Sequence, residues 1–131
     1  MIDFEAKVFQ KCADAFRAEY PNGYIAGEYV AQPQRFPAVS VVEMENVVDE
    51  RTMDNGNIEN AVQVMFQVDV YSNLTKGKKA QCKAILALID RQLAEWRFVR
   101  TYSNPIQNFN DATIYRMVAR YRRRITDEQG L

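Results

Sequence analysis

The sequence predicts an α+β fold in the order αβββαββ, with one mainly antiparallel sheet packed against two helices. Three observations carry that prediction. Phe4, Val8, Cys12, Phe16 and Tyr20 recur every four residues, which puts an apolar stripe on one side of a helix. Cys82, Ile85, Leu86, Ile89, Leu93 and Trp96 repeat the three-four spacing later in the chain. Between them, Val62, Val64, Phe66, Val68 and Val70 alternate with Gln63, Met65, Gln67, Asp69 and Tyr71, the period of a strand with one apolar face. A sheet backed by two helices buries both stripes and that face together.

The elements follow in order. Asp3 is placed to cap the first helix, which runs to about Glu19, with Glu5 near the positive end of its dipole. Phe9 and Ala13 widen its stripe, and Pro21-Asn22-Gly23 ends it. Tyr24 to Val30 reads as a strand interrupted at Gly27, closed by Gln32-Pro33-Gln34. Pro37 precedes a second strand from Ala38 to about Val47, and the third is the Val62 to Tyr71 segment. Leu74-Thr75 opens the second helix, and Phe98 to Tyr102 is a short fourth strand. Asn104-Pro105 starts a polar loop, after which Ala112 to about Ile125 forms a long final strand.

Composition bounds the function classes. A chain of 131 residues is long enough for one domain with a substantial core. Lys+Arg 17 against Asp+Glu 17 leaves no net charge, so nothing global draws the chain to nucleic acid or membrane. No apolar run approaches the roughly 20 residues of a membrane span, and the N-terminus has a helix pattern instead of that of a signal peptide. Cys12 and Cys82 lie on helix stripes, where reduced, buried packing residues are expected. The chain has no histidine, no Cys-x-x-Cys and no glycine-rich phosphate loop. No catalytic site, cofactor or metal site is expected.

Two irregularities bear on function. The segment from Asn46 to Asn60 is rich in Asp, Glu and Asn, with Asn55-Gly56 near its middle, a signal for a tight hairpin turn. A regular hairpin closed there would set Glu43 and Glu45 on the same face as Phe66 and Val68. Buried, unpaired carboxylates are costly, so a bulge or a projecting arm at about 46–60 is expected. The second irregularity is basic. Lys76, Lys78, Lys79 and Lys83 crowd the start of the second helix, where the dipole disfavours cations. Arg116, Arg120 and the run Arg122-Arg123-Arg124 line the last strand before Asp127-Glu128. The semi-polar face of the third strand suits a surface that is wet in a monomer and covered in an assembly.

The sequence resembles the tail-terminator or tail-completion proteins of long-tailed bacteriophages and Gram-positive prophages. The residues that carry the resemblance are Glu28-Tyr29-Val30, Phe36-Pro37-Ala38-Val39 and the run from Asn60 to Asn73. Gly77-Lys78-Lys79, Cys82-Lys83-Ala84-Ile85 and the run from Asn110 to Tyr121 complete the ordered set, which extends over nearly the whole chain. The arginine run at 122–124 departs from the family's pattern.

What the resemblance implies is a structural virion protein of the tail or neck, assembled in the host cytoplasm, that forms a ring, typically a hexamer. Such a ring caps the tail tube, stops its elongation and joins the tail to the head connector. Its partners are further copies of the chain, the tail-tube protein and the head-tail connector protein, with no membrane and no specific nucleic acid. A head-closure or connector neck protein of related fold is the alternative, and a small nucleic-acid-binding or regulatory module is a further one. The interface residues expected are Asp49, Glu50 and Asp54 on the arm, meeting basic groups of a neighbour or of the tube. Arg116, Arg120 and Arg122 are the first such groups, and Lys78 and Lys79 the second.

Overall fold

The computed structural model describes residues 1–52, 61–106, 111–126 and 131. The chain forms α1 (Glu5–Glu19), β1 (Tyr24–Ala26), β2 (Ala38–Val48), a 3-10 turn (Glu50–Thr52), β3 (Ala61–Ser72), α2 (Lys78–Glu95), β4 (Val99–Ile106) and β5 (Tyr115–Thr126). This is the expected αβββαββ order. The five strands make one sheet, arranged β1-β2-β3-β5-β4, in which every pair is antiparallel except β1 with β2.

The alternation along β3 sets the two faces. Val62, Val64, Phe66, Val68 and Val70 are all buried beneath the helices, against Val8, Cys12 and Phe16 of α1 and Cys82, Ile85, Ile89 and Leu93 of α2. Phe66 meets Phe98 edge to face at 5.7 Å between ring centres. Cys12 and Cys82 are both free and buried, and burial pushes each thiol up to about 12, which makes them inert packing residues. Asp90 accepts the Tyr121 hydroxyl at 2.8 Å, tying β5 to α2, and Lys11 reaches Glu95 at 2.8 Å across the two helices.

Of the two expected outcomes, a bulge is present, and it falls between Glu43 and Glu45. Glu43 pairs with Phe66, the register shifts, and Glu45 pairs with Met65 on the opposite face of the sheet. Met44 takes up the extra position, so the two carboxylates no longer share the apolar face.

Several boundaries differ from the sequence reading. β1 ends at Ala26 and runs parallel to β2, because the chain leaves the sheet at Gly27 and returns at Ala38 in the same direction. The intervening loop crosses the outer face of the sheet, where the Tyr71 hydroxyl donates to the Val30 carbonyl at 3.0 Å. Asn46, Val47 and Val48, expected at the base of the arm, stay in β2 and pair with Val64, Gln63 and Val62. The Asn55-Gly56 turn lies outside the described residues. α2 begins at Lys78, after Gly77, whose φ of 82° suits a residue without a side chain. β4 continues through Asn104-Pro105 to Ile106, which an edge strand permits because its outward N–H needs no ladder partner. β5 starts at Tyr115, since the Asp111 carboxylate instead accepts the Thr113 N–H at 2.9 Å and holds a turn there.

Candidate assembly surface

The face of the sheet away from the helices is polar and divided in two. At the end near Ser72, the loop after β1 covers it. Arg116 donates to Asp69 at 3.2 Å, and its guanidinium stacks over the rings of Tyr71 and Tyr29 at 5.6 and 5.9 Å. The Asp69 side chain is 2% exposed; burial raises its carboxyl above the ordinary range, and Arg116 opposes that shift. Burial, and then the Asp69 charge, push the Tyr71 phenol up to about 12. Next along β5, Arg120 donates to the Gln67 amide oxygen at 3.0 Å and stacks over Tyr102 at 5.7 Å.

The other end of this face is open. Gln63, Arg122 and Arg124 are exposed there, and Val99 and Val47 are 58% and 54% exposed. Asp49 sits at its corner with a side chain 7% exposed. The Asp49 carboxylate accepts Arg51 Nε and Arg124 Nε, each at 3.1 Å. The two guanidiniums hold the carboxyl down at about 2.

Beside this corner lies a cleft of about 540 Å³ lined by Gln63, Arg97, Val99, Arg122, Arg123 and Arg124. β4 begins only at Val99, opposite Arg122, so the last residues of β5 are paired with β3 on one side and have no strand on the other among the described residues. Arg97 enters the cleft from the turn that ends α2. That turn is closed by Arg97 N–H to Ala94 O and Phe98 N–H to Leu93 O, and Arg97 has a φ of 62° where glycine is the usual residue. Burial, and then the neighbouring Arg97 guanidinium, lower the pKa of Arg123. Arg97 and Arg122 have no ion pair among the described residues.

A group of opposite sign lies on β2 and α1. Asp3, Glu5 and Glu43 bring carboxylate oxygens within 4.8 Å of one another. Burial, and then the adjacent Glu5 and Asp3 carboxylates, push Glu43 up to about 7. The Asn46 amide close by is directed at the Ile2 carbonyl, to which it donates at 2.9 Å.

The residues expected at an interface thus fall into three groups. Asp49, Arg116 and Arg120 are engaged within their own chain. Glu50, Lys79 and Arg122 are exposed and Lys78 is half-buried; the two lysines open α2 far from the arginine cleft in sequence. Asp54 lies outside the described residues. Arg97 and the Asp3–Glu5–Glu43 group escaped the sequence reading. The signal for Arg97 was a helix stop without glycine or proline after Trp96, and the acidic group depends on how α1 docks on β2.

A family model described as Tail completion protein gp17 matches residues 13–129, from the middle of α1 to beyond β5. The chain belongs to that family. No curated protein matches it. As a tail completion protein it is a structural component of a phage tail, and both charged surfaces lie within or beside the matched region. Among the described residues of this tail completion protein, no helix is long and apolar enough to cross a membrane.

Proposed function

We propose that this protein forms a ring, most simply a hexamer, that caps the phage tail tube, stops its elongation and joins the tail to the head connector. The family match over residues 13–129 carries the reading. The open half of the sheet face supports it, because exposed valines set among arginines suit a surface that a partner covers. The ring acts as a steric stop with no chemical step: it occupies the tube end and offers its opposite side to the connector. The protein is accordingly proposed as a non-enzyme that works without cofactor or nucleic acid, as part of the virion neck.

The segment between β2 and β3 is the proposed arm, reaching a neighbouring subunit or the tube through Glu50 and Asp54, while Asp49 anchors its base on Arg124. Shortening the arm around Asn55-Gly56 leaves β2 and β3 paired through Val48 and Val62 and the domain folded. Rim charges tune association rate and register, so assembly weakens as salt rises. The test is tail completion in vitro, with tail lengths read by electron microscopy. Overlong or headless tails without the protein, restored by adding it, support the reading. Normal-length tails that join heads in its absence contradict it.

A further inference from the structure

We infer that the arginine cleft is the socket for the acidic β2 edge of a second copy of this chain, so that neighbouring subunits meet head to tail, β4–β5 side against β2 side. The inference deepens the ring reading and rests on it.

Four observations converge. First, both surfaces are sheet edges. β1 covers only Ala38, Val39 and Ser40 of β2, and β4 is the last strand on the other side. From Val41 to Val48, β2 has no strand on its outer side among the described residues. Second, the charges are segregated although the chain is neutral overall. Among the described residues Arg97 and Arg122 lack ion pairs on one side, and Asp3, Glu5 and Glu43 crowd together on the other, with the exposed Glu45 on the opposite face of the same β2 edge. A guanidinium arriving among those carboxylates relieves repulsion on both surfaces at once.

Third, the two surfaces stand at one level. Glu45 pairs with Met65, Met65 with Arg122, and Arg122 with Val99, so a single row crosses the sheet from the β2 edge to the β4 edge. Rotation of one copy to the next about an axis along the strands therefore brings Glu45 of one beside Val99 of the other, with Arg122 one strand further in on the same row. Fourth, the edges carry exposed apolar residues that such a contact covers: Met44 and Val47 on β2 are 49% and 54% exposed, and Val99 on β4 is 58% exposed. The two surfaces differ, so the contact is heterologous, and with a rotation that closes its repetition gives a ring instead of a two-fold dimer.

The experiment is a charge exchange read by sedimentation and native mass spectrometry, with thermal melts confirming that each variant folds. Arg97→Glu/Arg122→Glu alters only exposed side chains on one surface, and Asp3→Arg/Glu45→Arg only exposed ones on the other. The unmodified chain is expected to form rings, alone or with tail-tube protein present. Each double variant by itself should associate about tenfold or more weakly, and the two variants mixed should assemble again with alternating subunits. If both variants form rings as the unmodified chain does, this contact is wrong and the ring stands. If the mixture does not recover, the pairing of these two surfaces is overturned. If the unmodified chain stays monomeric with tube protein present, the ring reading fails and the contact with it. A duplex oligonucleotide, followed by fluorescence anisotropy, covers the other occupant of an arginine cleft. Binding lost in Arg97→Glu/Arg122→Glu while self-association persists would assign the cleft to nucleic acid and overturn the inference.

Discussion

Arg124 Nε lies 3.1 Å from Asp49 Oδ2, so the end of the last strand clamps the residue at which the chain leaves β2. Arg51 takes the other carboxylate oxygen from two positions further along. Both guanidiniums favour the charged form of Asp49, whose carboxyl is held at about 2 against an ordinary 3.8. Its folded-state value is depressed, so its contribution is present above pH about 4 and is lost as pH falls through 2. Asp49→Asn should loosen the segment between β2 and β3 near neutral pH. Hydrogen exchange is the measurement: faster exchange is expected at the Asp49 and Arg51 amides, with little change at Val68 or Val118.

Glu43 behaves in the opposite sense. It is raised from 4.5 to about 7, with Glu5, Asp3 and Asn46 as the groups facing it. A carboxyl raised on folding contributes most below its unfolded value and loses that contribution as pH rises through the folded one. Glu43→Gln should therefore match the unmodified protein near pH 4 and exceed it at pH 8. The half-buried side chain is screened by solvent, which reduces the expected gain to about 1 kcal/mol. Urea unfolding at the two pH values measures it, and a loss of stability at pH 8 would contradict this account of the acidic group.

Arg97 holds a backbone conformation that glycine adopts without strain, with a φ of 62° at the end of α2. Arg97→Gly should keep the turn and raise stability by about 0.5–1 kcal/mol, since relief of strain exceeds the extra freedom of an unfolded glycine. It also removes one charge from the cleft. The expected result is a higher melting temperature with weaker self-association, a combination that a purely structural helix stop would not give.

Val68 lies in the middle of the buried face of β3 and is 0% exposed. Val68→Asp would place a carboxylate there among apolar side chains, at a cost of several kcal/mol against a typical total stability of about 5–15 kcal/mol. Circular dichroism should report an unfolded or aggregated chain. A cooperative melt would mean that the faces of β3 are reversed.

Much of this fold was legible because the helix stripes and the β3 alternation are periodic. Val8, Cys12 and Phe16, and Ile85, Ile89 and Leu93, all face the core as their spacing requires. The cost of burying Glu43 and Glu45 together called for a bulge or a departing arm, but not for the position of the bulge at Met44. Boundaries set by contacts distant in sequence were not legible. Val30 leaves the sheet yet is held over it by Tyr71, and Pro105 stays in a strand because that strand is an edge. The site was less legible than the fold. Arg116 and Arg120 looked available to a neighbour, but the β3–β5 register brings them to Asp69 and Gln67 of the same chain. Arg97 carried no periodic signal, and its place beside Arg122 and Arg123 depends on where β4 begins.

The ring at the end of the tail tube is proposed to consist of copies of this chain. Cryo-electron microscopy of the intact particle tests it most directly. The expected result is a closed ring between tube and head connector whose subunits fit the αβββαββ fold, with the arginine cleft of each turned toward the β2 edge of the next. A ring at that position built of a different protein, with this chain elsewhere in the particle or missing from it, would contradict the claim.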